Sequence, residues 1–292
     1  MSKAELARVG TAVLGAVAVL GAGGCRKPSL ADQEQVGAAS GEVMASLDES
    51  LDGRATTAFL TPEPLRGPLW RRALDALEPS AYAASCFPST FSACAAGVRT
   101  RQYTQCSLGP STLDGTVTLT FTRTALCALA TADDAVTRTA DLTLTGPWGG
   151  TLTVSSPDGG QTLTKTAAGF EFTVAGMERV LVGPGGRTLF DISTRTTAPF
   201  VVTGSSRADL VIASGTLEVT HELAGYTVSL DASNLAWSAT CNCAVSGSLT
   251  GTVTSGKLSG RSATVELKGC GRADVTIDGD TDSVTLDRCA GI

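Results

Sequence analysis

Two constellations in the last third of the chain have residue types that could do chemistry. Cys241-Asn242-Cys243, followed by Cys270 in Gly269-Cys270-Gly271 and by Cys289, supplies four thiols. Four thiolates can hold zinc, but structural zinc sites separate paired cysteines by two to four residues, and here a single residue intervenes. Leu235, Trp237, Ala239, Cys241, Cys243 and Val245 share one strand parity, so both sulfurs point to a buried face. Disulfides joining Cys241 and Cys243 to Cys270 and Cys289 are expected in place of a metal, with the pairing left open. The second constellation is Asp278-Gly279-Asp280-Thr281-Asp282, whose alternate carboxylates resemble the start of a calcium loop. Ser283 stands where such a loop needs its glycine, and Cys289 where it needs its bidentate glutamate. The calcium candidates Asp278, Asp280 and Asp282 therefore yield to a plainer reading, an Asp-Gly hairpin between Val275-Ile277 and Val284-Leu286. No cofactor is implied.

His221 is the only histidine, and it shares parity with Leu217, Val219 and Leu223, which predicts a hydrogen-bonded core residue. A Ser-His-Asp triad lacks its Gly-x-Ser-x-Gly elbow, and phosphate-loop and His/Glu zinc spacings are absent. The one enzymatic option left is a carboxylate pair meeting in space, as in a glycan hydrolase, drawn from Asp141, Glu171, Asp191, Glu218 and Asp231. Solvated surface acids have the same signature, so the reading leans away from an enzyme.

The elements that must position these residues begin with a processing signal. Lys3 and Arg8 precede an apolar run from Val9 to Leu20, too short to span a bilayer, which ends in Leu20-Gly21-Ala22-Gly23-Gly24-Cys25. Small residues before a cysteine at this distance resemble the lipobox of bacterial lipoproteins, although Ala22 stands where that family usually has Leu, Val or Ile. The resemblance implies a signal peptide over 1–24, removal by a type II signal peptidase, and a palmitate-bearing lipid anchor on Cys25. Arg26 at the second mature position implies delivery to the outer membrane under the enteric sorting rule. Setting Cys25 aside leaves eight of the nine cysteines, an even number suited to four bridges in an oxidising compartment. They fall into two groups, Cys86, Cys94, Cys106 and Cys127, then Cys241, Cys243, Cys270 and Cys289, with a long cysteine-free stretch between. Loop-closure cost rises with length, so bridges are expected inside each group and not between them.

The lipobox-like Gly23-Gly24-Cys25, the threonine-rich strands and the cysteine pattern together resemble the uncharacterised cysteine-rich envelope lipoproteins of high-GC Gram-negative bacteria. An excess of arginine over lysine, 17 to 5, agrees. The resemblance implies a location and an anchor, and no activity.

The rest of the chain reads as β-structure. Residues 25–63 form a lipid-anchored tether, within which Leu30 to Leu51 has weak helical character. Residues 64–111 hold a helix over Glu63–Pro79, built on Leu65, Leu69, Ala73 and Leu77, then a cysteine-rich loop. From 112 to 292 the period is two: Thr116-Val117-Thr118-Leu119-Thr120-Phe121-Thr122 sets the pattern. Pro157-Asp158-Gly159-Gly160, Gly183-Pro184-Gly185-Gly186 and Asp278-Gly279 read as turns. About fourteen to sixteen strands with hairpin-length links predict an all-β fold, an antiparallel meander forming a barrel or a sandwich. Forty threonines suit the wet face of such a sheet. With a net charge of −6 and no basic patch, nucleic acid is excluded as a partner. Few Trp and Tyr and a threonine wet face argue against a transmembrane barrel. The expected role is a non-catalytic, lipid-anchored envelope protein whose protein or glycan partner is open; the alternative is a periplasm-facing carrier with an apolar ligand in a barrel cavity.

Overall fold

Each period-two run pairs with the run that follows it. The computed structural model describes residues 91–286 except 109, 205 and 206, then residue 289, and nine helical residues between 33 and 44. The signal segment 1–24, Cys25, the expected helix at Glu63–Pro79 and Cys86 lie outside the described residues. Within them the strands are β1 Val98–Leu108, β2 Ser111–Phe121, β3 Ala135–Thr145, β4 Thr151–Lys165, β5 Phe170–Val182 and β6 Thr188–Thr203. They continue as β7 Val211–His221, β8 Tyr226–Trp237, β9 Ala244–Val253, β10 Ser262–Leu267, β11 Arg272–Ile277 and β12 Asp280–Thr285. All are in one antiparallel sheet whose spatial order is the chain order, a meander with β1 and β12 at its two ends.

The strands are fewer and longer than the turn residues suggest. Pro157-Asp158-Gly159-Gly160 is no hairpin: it lies inside β4 as a bulge, where the register against β5 shifts between Ser155 and Gly160 and again before Gln161. Gly160 has positive φ and a Cβ there would collide with the Arg138 carbonyl oxygen of β3, so the glycines serve close strand approach and not chain reversal. Asp278-Gly279 does reverse the chain: both residues have φ above zero, as a type I′ hairpin requires, between the paired Ile277 and Asp280. β1 falls in the segment read as loop, because Arg99 and Arg101 occupy the parity where an apolar residue would have marked a strand.

One face of the sheet is dry. β3 buries Val136, Arg138, Ala140, Leu142 and Leu144, and β8 buries Tyr226, Val228, Leu230 and Ala232. The other face carries the threonines in cross-strand rows, such as Thr250, Thr264, Thr276 and Thr281 across β9 to β12. Hydroxyl pairs link neighbours in these rows: Thr276–Thr281 at 2.7 Å and Thr137–Thr162 at 3.0 Å.

The segment 33–44, expected to belong to a tether, is a helix (α1) whose described residues are all buried. Val36, Ala39, Val43 and Met44 join the single hydrophobic core. A Cβ on Gly37 would meet Val284 of β12 at 2.8 Å, while Ala39 lines a small cavity with Val154, Met177 and Ile192 of β4, β5 and β6. β12, at one end of the meander, and β4–β6, near its middle, thus face each other across α1, so the sheet curls around the helix. Burying an apolar stripe is worth more to this segment than hydration, at about 25 cal/mol per Å².

Alternation of hairpins gives the curl two rims. The β1–β2, β3–β4, β5–β6, β7–β8, β9–β10 and β11–β12 turns form one, here the proximal rim. The other collects the remaining links and all three disulfides of the described residues, Cys94–Cys127, Cys241–Cys270 and Cys243–Cys289, and is the bridged rim.

Candidate functional site

Among the described residues, charged and apolar side chains converge under burial in the interior around α1. Inward parity brings Arg101 of β1, Arg138 of β3, Gln161 of β4 and Arg179 of β5 into the core, with Gln33 and Glu34 on the helix. Arg138, only 1% exposed, donates from Nη1 to Gln161 Oε1 at 2.9 Å. The Arg101 guanidinium lies over the Tyr103 ring at 5.3 Å. Gln33 donates from Nε2 to the carbonyl oxygens of Asp280, at 2.7 Å, and Val275, at 3.2 Å, so a buried amide ties α1 to β11 and β12. A desolvated guanidinium is costly unless engaged, and the buried arginines and Glu34 all have partners. These residues form an interior girdle, tied to the helix through Gln33.

The bridges do related work. Cys243 and Cys289 sulfurs approach the Gly41 carbonyl at 3.7 and 3.9 Å. Bridged sulfurs carry no proton, so these are packing contacts that seat the end of α1 under the bridged rim. The zinc alternative needs four thiolates, and these four sulfurs are consumed in two disulfides. Each described bridge joins members of one cysteine group. Cys106 is bridged as well.

The other sequence candidates separate in space. Asp278 is drawn to Arg261, its Oδ2 accepting from Nη1 at 2.6 Å. Asp280 and Asp282 lie along β12, opposite Ile277 and Val275. No group of three His, Cys, Asp or Glu that could hold a metal occurs among the described residues. His221 is 4% exposed; its Nδ1 accepts from the Ala224 amide at 3.2 Å, and its ring lies 5.1 Å from that of Tyr226. It closes the β7–β8 turn. Glu218 takes Arg195 at 2.6 Å, and Asp231 accepts from the Thr216 hydroxyl at 2.6 Å. Asp141, Glu171 and Asp191 are on β3, β5 and β6. Burial, and then the charge of Glu222, push the Asp191 carboxyl up from its ordinary value. Glu222 is held beside it through the backbone, its amide donating to the Asp191 carbonyl at 3.0 Å.

No family model, curated protein or solved structure matches this chain.

Sequence reasoning missed the interior girdle. Its signal was present at Arg138, which shares strand parity with Val136 and Ala140 and so had to point inward. An arginine between two apolar inward positions marks a buried polar contact, and Gln161 is its register partner on β4.

Proposed function

We propose that the chain is a non-catalytic, lipid-anchored protein of the cell envelope, placed at the outer membrane by acylation of Cys25 and acting through binding or support. The observation that carries the reading is the apolar run Val9–Leu20 closing on Gly23-Gly24-Cys25, ahead of a domain whose described cysteines are all bridged. Disulfides persist where the environment oxidises, which agrees with export. The engaged interior and the dispersed carboxylates favour a rigid scaffold over turnover. Two acyl chains, at ~0.8 kcal/mol per buried methylene, hold a protein to a bilayer for good. Cys25→Ser should therefore move the protein from the membrane to the soluble fraction and abolish incorporation of labelled palmitate. Retention of the variant in the membrane fraction would sink the anchor.

The carrier reading ranks second because α1 occupies the interior that a ligand would need. The space beside Ala39, Val154 and Met177 is room for about one water molecule. Lipid extracted with the soluble Cys25→Ser protein in stoichiometric amount would reverse that order.

A further inference from the structure

The two rims differ in a way that an anchor on Cys25 turns into an orientation. Gln33 bonds the carbonyl of Asp280, the first residue of β12 after its hairpin at the proximal rim. One turn later Gly37 packs on Val284, and after another Gly41 packs on Leu286 and Cys289. α1 therefore runs beside β12 from the proximal rim toward the bridged rim. On the opposite wall, Ala39 neighbours Val154 and Ile192, both near the proximal starts of β4 and β6.

Gln33 is the eighth residue after Cys25. Eight residues reach at most about 27 Å when fully extended. An eleven-residue strand such as β7 is itself about 36 Å long at ~3.3 Å per residue. A lipid on Cys25 thus draws the proximal rim, where the helix starts, to the bilayer.

That rim carries the most exposed aromatic side chain among the described residues. Trp148 is 70% exposed at the tip of the β3–β4 turn, and Leu223 is 50% exposed at the β7–β8 turn. Bonds from Gly146 N to Gly150 O and from Gly149 N to Gly146 O close the turn from which Trp148 projects. Exposed Arg187 lies on the β5–β6 turn between them and Lys257 on the β9–β10 turn; the acids there include Glu222 and Asp278, the latter neutralised by Arg261. Tryptophan favours the headgroup level, and basic side chains favour anionic lipid. A single exposed apolar residue needs no explanation, and Leu126 projects from the bridged rim too. Trp148 and Leu223 instead coincide on the rim that a short tether must present.

We infer that the proximal rim lies on the membrane surface, with Trp148 and Leu223 seated at headgroup level and the bridged rim turned away. The inference rests on acylation of Cys25. The test uses the full-length acylated protein in phosphatidylcholine–phosphatidylglycerol vesicles with brominated acyl chains. Bound protein should show quenched tryptophan emission, and Trp148→Phe, which keeps Trp70 and Trp237, should lose at least half of that quenching. Leu126→Trp added to Trp148→Phe puts a reporter on the bridged rim and should restore none of it. Quenching unchanged by Trp148→Phe, or restored by Leu126→Trp, overturns the orientation while flotation with the vesicles keeps the anchor. Failure of the wild-type protein to float removes the anchor and the orientation together. Concentration-dependent shielding of Trp148 in detergent, without quenching in vesicles, assigns the rim to a second copy and also overturns the proposal.

Discussion

Asp134 holds the loop between β2 and β3 by accepting three hydrogen bonds on one oxygen. The Thr131 amide donates at 2.6 Å, the Ala130 amide at 2.8 Å and the Thr131 hydroxyl at 3.0 Å, with Arg123 at 3.5 Å. Chiefly the Thr131 amide, against some desolvation, keeps this carboxyl below its ordinary value. A lowered carboxyl stabilises the fold above the pKa of an unfolded aspartate, and the contribution disappears as pH falls through the folded value. Asp134→Asn should lower the melting midpoint at pH 7 by at most about 3 °C, since the loop is at the surface, and should match wild type near pH ~2. Asp191 works in the opposite sense: its raised carboxyl favours folding at low pH, and the advantage is lost as pH rises through the folded value. Melts of Asp134→Asn at the two pH values decide the point, and a deficit that persists in acid assigns the effect to geometry and not to charge.

At the scale of elements, the Cys241–Cys270 and Cys243–Cys289 bridges look equivalent until α1 is considered. They close separations of 29 and 46 residues. Chain entropy alone makes them worth about 3.6 and about 4.0 kcal/mol. Only Cys243 and Cys289 touch the Gly41 carbonyl, so their bridge also clamps the helix to the segment after β12. Cys243→Ser/Cys289→Ser should cost about 1–2 kcal/mol more than Cys241→Ser/Cys270→Ser in urea unfolding, as a core contact does. Amides of α1 should exchange faster in the first variant alone; equal costs with equal exchange would mean that the helix is held by packing only. The same elements show what was legible in the sequence. Threonine–aliphatic alternation made β2, β7 and β8 readable because one face is wet and one dry. Pro157-Asp158-Gly159-Gly160 misled because close strand approach and chain reversal both select glycine. The helix in 33–44 was readable as weak helix but not as core, because Ala39, Gly37, Ser40 and Gly41 are small enough for close packing yet look like linker.

At the scale of the whole molecule, the anchor, the curl and the bridges meet at one unsettled pair. Cys94, Cys127, Cys241, Cys243, Cys270 and Cys289 are bridged among themselves. Cys106 is bridged too, so its partner is one of the two remaining cysteines, Cys25 or Cys86. The two choices give different proteins. A sulfur spent in a disulfide cannot carry a thioether-linked lipid, so a Cys25–Cys106 bridge would leave the chain unanchored and free its proximal rim from the bilayer. A Cys86–Cys106 bridge keeps Cys25 for the lipid and completes the first cysteine group. Its loop is short, of the kind that constrains an unfolded chain by about 3 kcal/mol. Cys106 is on β1, one end of the unsealed sheet, and a bridge there adds a covalent tie where no further strand continues the ladder among the described residues. Non-reducing proteolysis of the membrane-extracted protein, followed by mass spectrometry, should yield one peptide pair containing Cys86 and Cys106, and an N-terminal peptide carrying acyl mass on Cys25. Recovery of Cys25 linked to Cys106 would end the lipid reading at once, whatever the fractionation of the Cys25→Ser variant shows.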